Sequence, residues 1–197
     1  HNSTVEYRSF KAEVAGAEPA GLTHMIKRSL REESKLIDFL WESNKIEDVE
    51  DDDSFAQALK AWQYLNKQKK LTIENLNKTH GILMKNQPLD EEAKGQFRKC
   101  GVWIGGREGK PWYALPELMN QWIVNANDVV INGQHENKAF LEKVIKEQHV
   151  TAEVAHPYQD GNGRIFRLVL NWQRINVGLP ILVIKEAEKN LYYEWFK

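Results

Sequence analysis

Twelve consecutive residues, His156–Arg167 (HPYQDGNGRIFR), contain the groups needed to hold a phosphate. Gly161 and Gly163 flank Asn162, so the backbone can turn tightly there and direct several N–H groups toward one anion. The apolar spacing that follows predicts a helix, and a helix start adds free N–H donors and the positive end of the helix dipole. This loop is therefore predicted to bind phosphate oxygens.

Four side chains of the same segment suit the transfer of a phosphoryl or nucleotidyl group. Arg164 and Arg167 lie three residues apart and can project from one side of the first helical turn. Cations are unfavourable at a helix start, so a bound anion explains this pair better than helix stability does. Asp160 offers a carboxylate that suits Mg²⁺. The imidazole of His156 titrates near neutral pH and can accept the proton of an attacking hydroxyl.

Helices supply most of the framework that must position this loop. Apolar residues recur every three or four positions, which is the period of an amphipathic helix. Residues 95–115 interrupt the pattern with five glycines around a short apolar run, which predicts a β-hairpin. We expect helices at Leu22–Trp41, at Phe55–Leu65, after an N-cap at Thr72, from Pro116 through Ile123, at Ala139–Ala155 and at Ile165–Ile175, then a stop at Gly178 and Pro180, and a strand or buried turn at Leu179–Ile184.

Length and composition restrict the class of protein. The 197 residues include 27 Lys and Arg against 28 Asp and Glu, a net charge of −1, with 42% hydrophobic residues. We expect one main domain over residues 22–197, preceded by an extension over residues 1–21. Near-neutral charge argues against a general nucleic-acid binder, and no apolar run approaches the roughly 20 residues that cross a bilayer. The single Cys100 allows no internal disulfide, which favours a cytoplasmic location.

The segment His156–Arg167 resembles the signature of the Fic domain, His-Pro-x-x-Asp-Gly-Asn-Gly-Arg-x-x-Arg, at all eight fixed positions. Chance agreement is about 10⁻¹⁰ per window at one in twenty per position. The similarity extends over roughly residues 22–196. It includes His149, seven residues before the motif histidine, and departs at Tyr158, where Fic domains usually have Phe. The resemblance implies a mainly α Fic fold, a helical bundle with a β-hairpin flap near residues 95–112.

Most Fic enzymes are AMP transferases, so the resemblance implies a protein adenylyltransferase. Such an enzyme moves AMP from MgATP to a Ser, Thr or Tyr hydroxyl of a target protein, which can be a copy of itself. By motif position, His156 would be the base and Asp160 the Mg²⁺ ligand. Tyr193 would lie near the adenine. The phosphates would be held by Gly161, Asn162, Gly163, Arg164 and Arg167, and the target would pair with a flap strand at Val102, Trp103 and Ile104.

Many Fic proteins also carry an inhibitory helix with the pattern (Ser/Thr)-x-x-x-Glu-(Gly/Asn). The candidate lies near residues 43–48, with Ser43 and Glu47 at the matching positions and Asp48 where Gly or Asn is expected. The Ser-to-Glu spacing alone does not select it, because it recurs elsewhere in the chain. The resemblance implies that the Glu47 carboxylate pairs with Arg167 and competes with a phosphate for it.

Three other functions remain open from the sequence. The same scaffold could use UTP, GTP or a CDP-linked choline as donor, since the motif binds phosphates and says little about the base. It could remove AMP, with Glu47 orienting a water. It could also be an interaction module without catalysis, although His156, Asp160 and Arg167 are all present. The target protein, the modified residue and the oligomeric state are left open.

Overall fold

The computed structural model of the protein describes residues 24–104 and 106–197. This part is mainly α-helical, as predicted, with a single short hairpin among the described residues. The expected extension over residues 1–21 lies outside it. The helices are α1 (His24–Lys45), α2 (Asp52–Leu65), α3 (Ile73–Leu83), α4 (Leu115–Asn132), α5 (Lys138–Ala155), α6 (Asn162–Asn176) and α7 (Lys189–Tyr193), and the strands are β1 (Trp103–Ile104) and β2 (Arg107–Glu108).

Side-chain caps fix where two of these helices begin. The Asp51 carboxylate accepts hydrogen bonds from the backbone N–H and the hydroxyl of Ser54, each at 2.7 Å, and so starts α2. Thr72 is the predicted N-cap of α3, and its hydroxyl accepts from the N–H of Asn75 at 3.1 Å. The Asn75 side chain accepts from the Thr72 N–H in return, which completes a capping box.

Gly178 ends α6 at the predicted position. Its φ of 75° lies in the left-handed region, which glycine adopts without a steric penalty. The N–H of Leu179 donates to the carbonyl of Arg174 at 2.8 Å, and that of Gly178 to Ile175 at 3.2 Å, which is a Schellman motif.

The segment after this stop forms no strand, although a strand or a buried turn was predicted over Leu179–Ile184. The structure places no strand beside it. The side chain of Asn171 takes that place, accepting from the Leu182 N–H at 2.7 Å and donating to the Leu182 carbonyl at 3.0 Å. One side-chain amide therefore satisfies both backbone groups of Leu182, which a neighbouring strand would otherwise have paired.

Helix α6 runs through the centre of the bundle and contacts α1, α2, α3, α4 and α5. Both motif arginines, Arg164 and Arg167, point from it into the interior and are only 3% and 2% exposed. The core around α6 is apolar and closely packed. Among its fully buried side chains are Leu40, Leu65, Leu76, Leu115, Met119, Phe166 and Trp172.

The predicted hairpin is present but shorter than residues 95–112. Trp103 pairs with Glu108 and Ile104 with Arg107 in antiparallel register, and Gly109 donates to the Val102 carbonyl at 2.8 Å. Residues 96–100 before it are bends and irregular backbone. None of the described helices combines the length and apolar character needed to span a membrane.

Candidate active site

The motif loop joins the end of α5 to the start of α6 through two left-handed residues. His156 has φ 49° and ψ 61° and caps α5, its N–H donating to the Ala152 carbonyl at 3.1 Å. Gly161 has φ 75° and is the N-cap of α6. A left-handed conformation costs a non-glycine residue about 1–2 kcal/mol, so the surrounding contacts must hold His156 there. His156 thus forms the start of the loop whose other end is the N-cap of α6.

Arg98 holds this turn, a role that no sequence pattern indicated beyond its position in the flap segment. Its Nε donates to the His156 carbonyl at 2.7 Å, and its own N–H donates to the Pro157 carbonyl at 2.8 Å. Nη1 donates to the Cys100 carbonyl and Nη2 to the Lys110 carbonyl, each at 2.6 Å. The buried guanidinium therefore ties the turn at His156 to both ends of the hairpin.

The His156 side chain is suited to accept a proton. Burial lowers its pKa, so the imidazole is neutral at neutral pH. Its Nδ1 lies 3.4 Å from the Glu153 carbonyl. A carbonyl only accepts, so this contact places the ring proton on Nδ1 and leaves Nε2 as the basic nitrogen.

Asn162 shapes the loop with its side chain. Its Oδ1 accepts from the Tyr158 N–H, and its Nδ2 donates to the Tyr158 carbonyl, each at 2.9 Å. The first helical hydrogen bond runs from Ile165 to Gly161 at 3.0 Å. The backbone N–H groups of residues 162–164 therefore form the open donor end of α6, where an anion is favoured.

Gly161→Ala tests how tightly this loop is packed. A Cβ at Gly161 would lie 2.5 Å from the sulfur of the buried Met84, whereas one at Gly178, with the same φ of 75°, would meet nothing within 4 Å. Gly178→Ala is the matched control and should cost about 1–2 kcal/mol of unfolding free energy for its backbone alone. Gly161→Ala should cost about 1–3 kcal/mol more. Urea unfolding of both variants measures the difference, and equal losses would contradict the packing argument.

Arg164 lies beneath the loop. Its Nη1 donates to the Gln87 amide oxygen at 2.9 Å, and its Nη2 lies 3.8 Å from the Asp160 carboxylate. Gln87 in turn donates to the Ser54 hydroxyl at 2.7 Å. The Asp160 side chain is 57% exposed, so a cation can reach it.

The single carboxylate of Asp160 suits a metal ion that takes most of its other ligands from substrate phosphates. Within residues 24–104 and 106–197, no group of three His, Cys, Asp or Glu side chains is arranged to hold a metal. Asp160 supplies one carboxylate beside the donor end of α6. Mg²⁺ is commonly bound in this way, by one or two carboxylates together with substrate phosphates and water.

Arg167 is occupied by the last turn of α1 and by the turn that follows it. Its Nη2 donates to Glu47 Oε1 at 2.7 Å and to the Ser43 carbonyl at 2.9 Å, and its Nε donates to the Ser43 hydroxyl at 2.9 Å. Its Nη1 lies 3.4 Å from the Tyr192 hydroxyl. Every nitrogen of this buried guanidinium therefore has a partner.

The Glu47 carboxylate also contacts the first turn of α6. A Cβ placed on Gly163 would collide with Glu47 Oε1, so the carboxylate lies against the backbone there. This is the position that the open N–H groups of residues 162–164 make favourable for an anion.

Only part of the segment near residues 43–48 is helical. Ser43 lies in the last turn of α1, and Glu47 follows in a turn. The N–H of Val49 donates to the Asn44 carbonyl at 3.1 Å and that of Asp48 to Lys45 at 3.0 Å, a second Schellman motif. Asp48 has φ 55°. Glycine and asparagine adopt this conformation most readily and aspartate tolerates it, which explains why Asp48 can occupy this position.

Of the neighbouring tyrosines, it is Tyr192 rather than Tyr193 that reaches Arg167. The buried Tyr192 hydroxyl lies 2.8 Å from His149 Nε2 and 3.4 Å from the guanidinium. Tyr193 is 44% exposed, and its ring lies 5.6 Å from that of Tyr192. The adenine role of Tyr193 remains a prediction.

The flap residues differ in exposure. Trp103 is 76% exposed, whereas Val102 and Ile104 are half-buried. Strand β1 therefore presents a large aromatic side chain to solvent, and its role in holding a target remains a prediction.

Glu153 is a half-buried residue with a buried carboxyl oxygen, and no sequence pattern pointed to it. It lies on α5, and its Oε1 is buried with no hydrogen-bond partner in the structure. Burial raises its pKa from an ordinary value near 4.5 to about 8; Glu47 adds to the shift and Arg167 opposes it. Glu153 is therefore protonated at neutral pH.

This protonation predicts a pH-dependent stability. Between pH 4.5 and 8 the folded chain keeps the Glu153 proton and the unfolded chain releases it, so stability falls as the pH rises. Glu153→Gln, which cannot ionise, should raise Tm increasingly from pH 5 to 8. Thermal melts across that range measure it. Glu147→Gln on an exposed face of α5 is the matched control, and a constant difference between Glu153→Gln and the natural chain would refute the assignment.

Comparison with known proteins identifies related sequences. A family model described as "Fic/DOC family" matches residues 70–173. The "Protein adenylyltransferase Fic" of Aedes aegypti is 26% identical over 136 residues, covering 68% of this chain and 25% of that protein. The Drosophila yakuba protein of the same name is 26% identical over 127 residues, covering 64% and 24%. The chain thus spans about a quarter of the length of these relatives.

Solved structures show the same architecture. A Fic domain containing signaling protein from Bacteroides thetaiotaomicron superimposes with a TM-score of 0.71 at 16% identity, covering 89% of this chain and 75% of that one. Fic-1 from C. elegans gives a TM-score of 0.67 at 19% identity, covering 89% and 58%. The predicted fold is confirmed; at these identities the similarity concerns the fold alone.

Proposed function

The chain belongs to the Fic/DOC family, and we propose that it is a protein adenylyltransferase that moves AMP from MgATP to a hydroxyl of a target protein. One observation carries the proposal: a neutral histidine and an exposed carboxylate lie in the loop that leads into α6, and a buried arginine projects from the start of that helix. These are His156, Asp160 and Arg167. Together they supply a base, a cation ligand and phosphate-binding donors in one place.

The reaction follows from this placement. The target hydroxyl oxygen attacks the α-phosphorus of ATP, and its proton passes to His156 Nε2. The bond from the α-phosphorus to the oxygen bridging the β-phosphate breaks, and pyrophosphate leaves. Backbone N–H groups of residues 162–164 would hold the α- and β-phosphates, and Arg167 the γ-phosphate. Mg²⁺, held by Asp160, would neutralise charge on the phosphates.

We infer that Glu47 inhibits this reaction. Its carboxylate pairs with Arg167 at 2.7 Å and lies against the backbone of Gly163, two places that the ATP phosphates would need. Two anions cannot share this position, so Glu47 and the nucleotide compete. Ser43 strengthens the inhibitory contact by accepting from Arg167 with both its hydroxyl and its carbonyl.

Isotope transfer tests the proposed reaction. With ATP labelled in the α-phosphate we expect label on protein in a cell lysate or on the chain itself, and with the γ-phosphate labelled we expect none. Label from the γ-phosphate alone would make the protein a kinase. Label from UTP, GTP or CDP-choline in place of ATP would change the donor. No label from any donor, even after Glu47 is replaced, would overturn the enzyme assignment in favour of an interaction module.

A further inference from the structure

A second histidine connects the motif loop, which would bind the nucleotide, to the flap segment, which would bind the target. His80 lies on α3 and is fully buried. Its Nε2 lies 3.0 Å from the backbone carbonyl of Asp160, and its Nδ1 accepts from the backbone N–H of Gly95 at 2.9 Å. Asp160 carries the carboxylate assigned to Mg²⁺, and Gly95 begins the flap segment.

These two contacts require one protonation state of His80. A backbone N–H only donates, so Nδ1 must be unprotonated; a carbonyl only accepts, so Nε2 must carry the proton. A doubly protonated ring would direct Nδ1–H against the N–H of Gly95.

The ring is also fixed in orientation. It stacks on Tyr158 with centroids 3.8 Å apart and an interplanar angle of 6°, and the Tyr158 hydroxyl donates to Asn77 on the same helix at 2.8 Å. Gly95, with φ 72°, lies against α3 so closely that a Cβ would come within 2.8 Å of the Asn77 carbonyl. Helix α3 therefore supports both the motif loop and the base of the flap.

Together with Arg98, His80 attaches one short segment to both ends of the motif loop. Arg98 bonds to the carbonyls of His156 and Pro157, where the loop begins. His80 joins Gly95, three residues before Arg98, to Asp160, where the loop ends. The start of the flap segment, Gly95 to Arg98, cannot shift without moving Asp160 or breaking these hydrogen bonds.

We propose that His80 is a positioning residue. It holds the backbone of Asp160 and the start of the flap segment at Gly95 in a constant relative position, so that nucleotide and target are aligned for the reaction. The effect of this role on catalysis rests on the proposed function. The geometric part, a neutral histidine joining the two segments, can be tested without any transfer assay.

Two conservative variants separate the two hydrogen bonds. His80→Gln places an amide N–H near the position of Nε2, so it keeps the donor to Asp160 and loses the acceptor for Gly95. His80→Asn places an amide oxygen near the position of Nδ1, so it keeps the acceptor for Gly95 and loses the donor to Asp160. A residue that merely fills space would affect both segments alike in both variants.

Hydrogen exchange provides the first readout. In His80→Gln, peptides from residues 95–104 should exchange about 3- to 10-fold faster, with residues 157–163 unchanged; in His80→Asn the pattern should reverse. In the natural chain, ¹⁵N NMR at pH 6 should show His80 protonated only on Nε2. Uniform exchange changes in folded variants would overturn the proposal. A ring protonated on Nδ1 in the natural chain would overturn it whether or not the variants fold.

Nucleotide binding gives the second readout, measured in a Glu47→Gly background so that Arg167 is free. His80→Asn should weaken the Kd for MgATP about 3- to 10-fold, and His80→Gln should leave it nearly unchanged. Equal weakening in both variants would contradict the positioning role. If the Glu47→Gly chain itself bound no MgATP, the proposed function would fail while the exchange and NMR results still decided the role of His80.

Discussion

Replacing His156 with alanine is expected to lower AMP transfer by about 10²- to 10⁴-fold, the contribution of a positioned general base. His156 carries the neutral imidazole of the loop that leads into α6, with the ring proton on Nδ1 and Nε2 free. Without it, the target hydroxyl must lose its proton to water. The rate of label transfer from α-labelled ATP measures the effect, and affinity for MgATP should change little.

Two further variants make this result interpretable. His156 has a left-handed backbone, so His156→Asn, which tolerates that conformation, should lose transfer with less cost in stability than His156→Ala. His135→Ala, at an exposed position in a 3₁₀ turn, is the matched control and should keep full activity. Normal transfer by a folded His156→Asn chain would remove His156 from the mechanism.

Replacing Glu47 with glycine is expected to raise transfer about 10- to 100-fold. A hydrogen bond to a charged group contributes about 1.5–3 kcal/mol, and the Glu47 carboxylate directs one to Arg167 at 2.7 Å. Its removal frees Arg167 and the first turn of α6 for the phosphates. The Kd for MgATP should fall, and the rate of label transfer should rise.

The same segment supplies the controls for this prediction. Glu50→Gly makes an identical chemical change at an exposed position three residues further on and should have no such effect. Ser43→Ala removes the hydroxyl that accepts from Arg167 Nε and should raise activity by a smaller factor, because Glu47 stays in place. Unchanged or lower activity in a folded Glu47→Gly chain would disprove inhibition by Glu47.

Most helices could be predicted from the sequence because their signals are local. Apolar periodicity located α5, expected at Ala139–Ala155 and observed at Lys138–Ala155. It placed the start of α6 three residues late, since the N-cap is Gly161 within the motif itself. A strand or a buried turn was expected at Leu179–Ile184, and the strand alternative was wrong. A strand needs a neighbouring strand to pair with, and here the Asn171 side chain from α6 takes the place of that neighbour.

The chemistry of the motif loop was also local. Its glycines, its two arginines and its histidine lie within twelve residues, so their types and spacing alone indicated a phosphate site at a helix start. The pairing of Glu47 with Arg167 was inferred from family resemblance, since its Ser-to-Glu spacing recurs elsewhere in the chain. The left-handed turn at Asp48, which places that carboxylate, became visible only in the structure.

The sequence by itself therefore determined which residues could bind phosphates and accept a proton, because those properties depend on residue type and on neighbours within a few positions. Only the tertiary structure decided the partners of those residues. Arg167 and Glu47 are 120 positions apart, and His80 and Asp160 are 80 apart. Burial of Glu153 likewise depends on packing between helices. Such contacts arise from the folded arrangement of α1, α3 and α5 around α6, which no local pattern encodes.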